Sequence, residues 1–155
     1  MADSKTHLEQ EKFYHIYNHA VGEELLFKSE RNYLFFLDLT KRYLNDYVVF
    51  YAYCLMPNHF HFIVKVKSEQ EIILKENLYE GSNPRRDYMG KSVSLIISQK
   101  FSNLFNSYAQ AYNKENDRRG SLFVNRYKRI LISDKKYLLK LIHYIHYNPV
   151  MANLC

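Results

Sequence analysis

The chain has no tryptophan, only two cysteines, four glycines and three prolines in its 155 residues. Cys54 lies in a strand-like run and Cys155 is the last residue. Neither has metal-ligand spacing. A disulfide framework is excluded, and a reduced, cytoplasmic protein is expected. The few glycines form no phosphate-cradling loop, so nothing points to a nucleoside triphosphate site. The opening "MADSKTHLEQEK" is polar, unlike a signal peptide. No apolar run approaches the roughly 20 residues needed to span a bilayer, so no membrane association is expected. Repeats and low-complexity tracts are also lacking. What is abundant is aromatic: 15 tyrosines and 10 phenylalanines, within 47% hydrophobic residues and a net charge of +6. That composition supports one ordinary domain over 1–155 with a real core. The basic balance favours a polyanionic partner, nucleic acid above all.

The hydrophobic pattern gives an element order. "KFYHIYNHAV" (12–21) is aromatic and β-branched, a first strand. "GEELLFKS" follows as a turn and a short extended piece. Ser29 is placed to N-cap a helix through "ERNYLFFLDLTKRYLND", where Tyr33, Phe36, Leu37, Tyr43 and Leu44 fit a 3.6 period. "YVVFYAYCLMP" (47–57) is a strand apolar on both faces, with Tyr47, Val49, Tyr51, Tyr53 and Leu55 on one and Val48, Phe50, Ala52, Cys54 and Met56 on the other. Pro57-Asn58 turns it into "HFHFIVKVK", a hairpin partner. Residues 68–91 are the least regular, with a short helical piece at 69–79 before a loop bearing Arg85 and Arg86. A long helix over about 92–117 carries the stripe Val93, Ile96, Ile97, Phe101, Leu104, Phe105, Tyr108 and Tyr112. A last strand is placed at 127–132. A final helix starts at the N-cap Asp134 and ends at Asn148-Pro149. The order β-α-β-β-α-β-α predicts an α+β fold. Its first six elements make the ferredoxin-like (RRM-like) antiparallel four-stranded sheet with crossover helices, and a C-terminal helix follows.

Chemistry is concentrated in "CLMPNHFHFIV" (54–64). In a strand, residues two apart share a face, so His59 and His61 project together while Phe60 and Phe62 enter a core. Two imidazoles about 7 Å apart at Cα can converge on one divalent ion, with a third ligand from protein or substrate.

"YAYCLMPNHFHFIV" resembles the histidine–hydrophobic–histidine strand of the single-tyrosine (HUH) transposases. The likeness is strongest to their REP-associated tyrosine transposase branch. "FYHIYNHAV", "SYAQAYN", "RRGSLFVNRYKRIL" and "YIHYNPVMANL" match that branch in order, from about residue 12 to 154. The resemblance implies a transposase that nicks and rejoins single-stranded DNA beside small hairpins. Its histidine pair, His59 and His61 here, would hold Mg²⁺ or Mn²⁺. A helix tyrosine would attack the phosphate, leaving a 5′-phosphotyrosine and a free 3′-OH. The non-catalytic alternative is a nucleic-acid-binding module on the same sheet, which needs neither the histidines nor the tyrosine.

The family motif in "SYAQAYN" points to Tyr108 as nucleophile, with Tyr112 second. Tyr127 reads as structural. The family often takes its third metal ligand from an amide one turn after the tyrosine. Tyr112 stands at that position, Gln110 faces elsewhere, and Asn116 would serve only if Tyr112 were the nucleophile. Asn113, nearest in sequence to that amide but rotated about 140° off the tyrosine's face on a regular helix, is the ligand the resemblance implies. Arg85, Arg86, Lys91, Arg118, Arg119, Arg126, Lys128 and Arg129 flank the long helix as expected DNA contacts. "HYIHYNP" reads as packing and capping. The histidine face and the stripe of the long helix point apart, and the resemblance implies a homodimer, in which one subunit's tyrosine helix can serve the other's site.

Overall fold

The computed structural model describes residues 6–79 and 92–153. Arg85, Arg86, Lys91 and Cys155 lie outside them. The elements are β1 (Phe13–His19), α1 (Glu30–Leu44), β2 (Val48–Met56), β3 (His59–Val66), α2 (Glu69–Tyr79), α3 (Val93–Glu115), β4 (Lys128–Ile132) and α4 (Lys135–Met151). The four strands form one antiparallel sheet in the order β2-β3-β1-β4. This is the ferredoxin-like arrangement, and the expected α+β class holds.

Local chemistry starts the helices where the sequence places them. The side chains of Ser29, Ser92 and Asp134 each accept from backbone N–H groups in the first turn of α1, α3 and α4. Such caps satisfy donors that the helix itself leaves orphaned, at about 1 kcal/mol each. α4 runs further than expected. Pro149 sits inside its last turn and the helix continues to Met151. A proline N has no hydrogen to give, but near a helix end the lost bond is a small cost.

The sheet has two covered faces. On one, α1 and α3 pack their apolar stripes onto the outward-pointing residues of β1 and β3. Phe36, Phe60, Phe62, Phe101 and Phe105 are buried there together with Tyr14, Ile16, Tyr108 and Tyr112. Each such ring contributes about 1.5–3 kcal/mol of apolar burial. On the other face α4 lays Leu141 and Ile145, flanked by Leu138 and Ile142, onto Ala52, Cys54, Met56, Ile63 and Ile132. α4 covers only part of this face.

β2 departs from the simple alternation. Its register with β3 shifts between Phe50 and Ala52, a bulge at Tyr51. Val48 and Phe50 therefore face the α1/α3 core, whereas Ala52, Cys54 and Met56 face α4. The extra residue flips the facing of the rest of the strand, so the five residues expected on one side are split between two.

Candidate active site

The register of β1 on β3 sets the site. His19 lies opposite His59, Tyr17 opposite His61 and His15 opposite Ile63. These side chains share the α4 face and build a cluster of rings. His15 stacks on His61 with centroids 5.1 Å apart, His19 on His59 at 4.9 Å, and Tyr17 on His15 at 4.8 Å. His59 and His61 meet edge to face at 5.1 Å.

Three of the cluster's imidazoles, His15, His59 and His61, are held uncharged. Burial pushes His15 down to about 4. Burial, then repulsion from His15, His59 and His19, pushes His61 down to about 3. His59 is lowered by burial and by His19. At neutral pH these imidazoles are uncharged and present lone pairs, as ligands must. Each also has an oriented ring. Asn58 Oδ1 lies 2.7 Å from His59 Nδ1, which places a proton on Nδ1 and leaves the Nε2 lone pair outward. His61 Nδ1 and His15 Nε2 share a hydrogen bond of 2.9 Å. When His61 donates in that bond, its Nε2 is the free donor atom as well.

The pair thus fits a divalent cation with at least one outside ligand. Among the described residues no set of three histidine, cysteine or carboxylate side chains converges to hold a metal ion. A third protein ligand would have to be an amide or a tyrosine.

The expected nucleophile is elsewhere. Tyr108 is 1% exposed, on the α1/α3 side of the sheet, against Phe27 and Phe36. Its hydroxyl donates to the carbonyl of Leu26. Burial pushes its pKa far above that of an ordinary phenol, so it stays protonated. The sheet separates it from His59 and His61, and no second copy can reach a side chain so deeply covered. The apolar stripe of α3 on which the motif falls is what buries it. Tyr112, the second choice, is also core, donating to Leu25 O at 2.5 Å and to Glu24 Oε1 at 3.0 Å. Tyr127 is buried against Phe101 and Phe105, as expected of a structural residue.

Asn113 is not brought to the histidines either. Its Nδ2 donates to Gly120 O at 2.9 Å and its Oδ1 accepts from Arg118 Nη1 at 2.7 Å, so it ties α3 to the following loop. Asn116 caps α3, its Nδ2 donating to Tyr112 O. Arg118 is likewise committed. It pairs with Glu24 at 3.1 Å and donates to Ser121 O, which makes it a loop staple rather than a free DNA contact. Arg129 is buried. Arg119 and Arg126 are exposed and Lys128 half-exposed, as phosphate contacts need to be.

On α4, Tyr144 borders the histidines, in the segment whose sequence reads as packing and capping. Tyr144 on α4 is 55% exposed, with its ring centroid 6.5 Å from that of His61. Leu141 and Ile145 anchor α4 on the sheet, which places the intervening Tyr144 at the rim of the cluster. Asn148 follows four residues later, one turn along the same face and half-buried. A tyrosine with an amide one turn on was the sought pattern, and "YIHYN" carries it. Tyr17 is the other tyrosine beside the pair, 5.7 Å from His61, but it is half-buried and stacked in place.

No family model and no curated protein matches the chain. Among solved structures it is similar to the REP-associated tyrosine transposase bound to a REP hairpin, with a TM-score of 0.66 and 12% identity, covering 100% of this chain and 76% of the other. The two share a fold over the full length of the present chain.

Proposed function

We propose that the protein nicks and rejoins single-stranded DNA through a covalent link to Tyr144, beside a divalent ion held by His59, His61 and Asn148. The carrying observation is the position of an accessible tyrosine next to His61, on the sheet face where two neutral imidazoles already converge. The likeness to the hairpin-bound transposase supports hairpin-bearing single-stranded DNA as the substrate.

In this reading His59 and His61 bind through Nε2, oriented by Asn58 and His15. Imidazole is softer than carboxylate, so the set takes Mn²⁺ more readily than Mg²⁺, which would draw most of its ligands from phosphate and water oxygens. Such an ion supplies Lewis-acid polarisation of the scissile phosphate. The Tyr144 oxygen attacks phosphorus and loses its proton to solvent. The P–O3′ bond breaks, and the departing oxygen takes up a proton to become a free 3′-OH. The 5′ end stays on Tyr144 as a phosphodiester, and a second 3′-OH can reverse the step without any triphosphate. Arg119, Arg126 and Lys128 contribute phosphate contacts.

The proposed site is complete within one chain, so the shared-helix homodimer is not required by the chemistry. A plain binding module on this fold would use an open sheet face. Here α4 covers part of that face and leaves the histidines at its rim, which favours the catalytic reading.

The test is a denaturing-gel assay with labelled hairpin-bearing single-stranded DNA and Mn²⁺. A protein–DNA adduct is expected from the wild type and from Tyr108→Phe, and none from Tyr144→Phe or His59→Ala/His61→Ala. An adduct that persists in Tyr144→Phe but disappears in Tyr17→Phe would move the nucleophile to β1. Cleavage without any adduct would replace the mechanism by hydrolysis.

A further inference from the structure

One groove of the molecule lies away from the histidines. It lies between α3 and the segment 120–129, has a volume of about 610 Å³, and reaches Asn18 of β1. The side of α3 next to its buried stripe lines it with Ser98, Gln99, Ser102, Asn106, Gln110 and Asn113. Among the described residues no carboxylate lines it, and Arg126 and Arg129 do.

Arg129 is the unexplained part. It is 9% exposed, stacks on Tyr127 and donates from Nη1 to Ser98 Oγ at 2.9 Å. Among the described residues no carboxylate pairs with it within salt-bridge distance, and its Nε is buried without a hydrogen-bond partner. Tyr127, with Ser98 beside it, also lacks a hydrogen bond of ordinary geometry for its buried hydroxyl. An uncompensated guanidinium in the interior is costly, and folds normally pair it. A groove that holds such a cation, no acid and a row of amides is built for an anion that also has donors and acceptors. A nucleotide has both parts. Phosphate oxygens match guanidinium groups, and Asn and Gln amides match base edges.

We propose that this groove holds one unpaired nucleotide of the DNA strand, its phosphate at Arg126 and Arg129 and its base against Asn106 and Gln110. The inference rests on the DNA reading above but not on its chemistry. The groove lies on the α3 side of the sheet, away from Tyr144. It would fix the path of the strand around the β4 edge and add base preference at a position remote from cleavage.

Fluorescence anisotropy tests it, with a hairpin carrying unpaired flanks, the same hairpin without flanks, and thymidine monophosphate as competitor. Asn106 and Gln110 are exposed, so Asn106→Ala/Gln110→Ala preserves the fold. It should weaken flanked DNA about tenfold and leave the blunt hairpin unchanged. A 5-iodouracil in the flank should crosslink to the peptides spanning 95–113 or 120–129. Equal affinity of variant and wild type for flanked DNA, with crosslinks confined to β1, β3 and α4, would overturn the groove. Thymidine monophosphate binding as tightly as the strand would make the occupant a free nucleotide and overturn it too. Weakened flanked-DNA binding with no adduct from any protein would support the groove while refuting the tyrosine chemistry.

Discussion

The two faces of the sheet carry tyrosines in opposite states. On the α1/α3 face, Tyr108 and Tyr112 are sealed in the core and use their hydroxyls to hold the backbone of residues 25 and 26. On the α4 face, Tyr144 stands exposed beside the neutral imidazole of His61. The residue type is the same, and position on a helix decides its use. A tyrosine on a continuous apolar stripe is desolvated and becomes structure. A tyrosine beside such a stripe is anchored by its neighbours and remains exposed.

The sharpest way to break this contrast is to remove each hydroxyl in turn. Tyr144→Phe should lower adduct yield by about three orders of magnitude or more without changing the urea midpoint, and Tyr108→Phe should keep the adduct. Truncation reverses the roles. Tyr108→Ala should cost about 3–5 kcal/mol in a denaturation curve, as loss of a buried ring does, and Tyr144→Ala less than about 0.5 kcal/mol. Equal losses would mean that α4 depends on Tyr144 for its docking.

The histidine face is also the acid-sensitive one. The folded-state values of His15 and His61 lie near 4 and 3, below the ordinary 6.5 of the unfolded chain. The unfolded state therefore binds protons first as pH falls. Stability is full above about pH 6.5 and should drop between there and about pH 4, on the order of 3 kcal/mol for His15 alone. Denaturation in EDTA at pH 7 and pH 4.5 reads this directly, and His15→Gln should flatten the dependence. A smaller effect concerns metal. His15→Ala frees the His61 ring to rotate and to change tautomer, and Mn²⁺ affinity by calorimetry should fall about tenfold. Unchanged affinity would show that His61 needs no partner on β1.

Much of the fold was legible because period and caps agreed. Ser29 and Asp134 begin helices as capping chemistry dictates, and the short helical piece at 69–79 matches α2. His59 and His61 were legible from strand parity alone. Their neighbours were not. His15, Tyr17 and His19 join them only through the register of β1 on β3, which a single sequence does not state. The burial of Tyr108 follows from its place on the apolar stripe, which the motif likeness does not weigh. The proposed nucleophile Tyr144 lies in "HYIHYNP", which reads equally as packing, although the amide four residues on is visible. Arg118 and Arg129 looked like free charge, and only tertiary contacts show one stapling a loop and the other buried.

The bulge at Tyr51 has a bearing on assembly. β2 is an edge strand, and Val49, Tyr51 and Tyr53 are exposed along it. An uninterrupted edge of that kind would be a template for strand addition by a neighbouring molecule. The register break interrupts its row of free amides and carbonyls midway, so an incoming strand finds matched partners on only half of its length. The irregularity that turns Ala52, Cys54 and Met56 toward α4 therefore also guards the chain against polymerising through its own sheet.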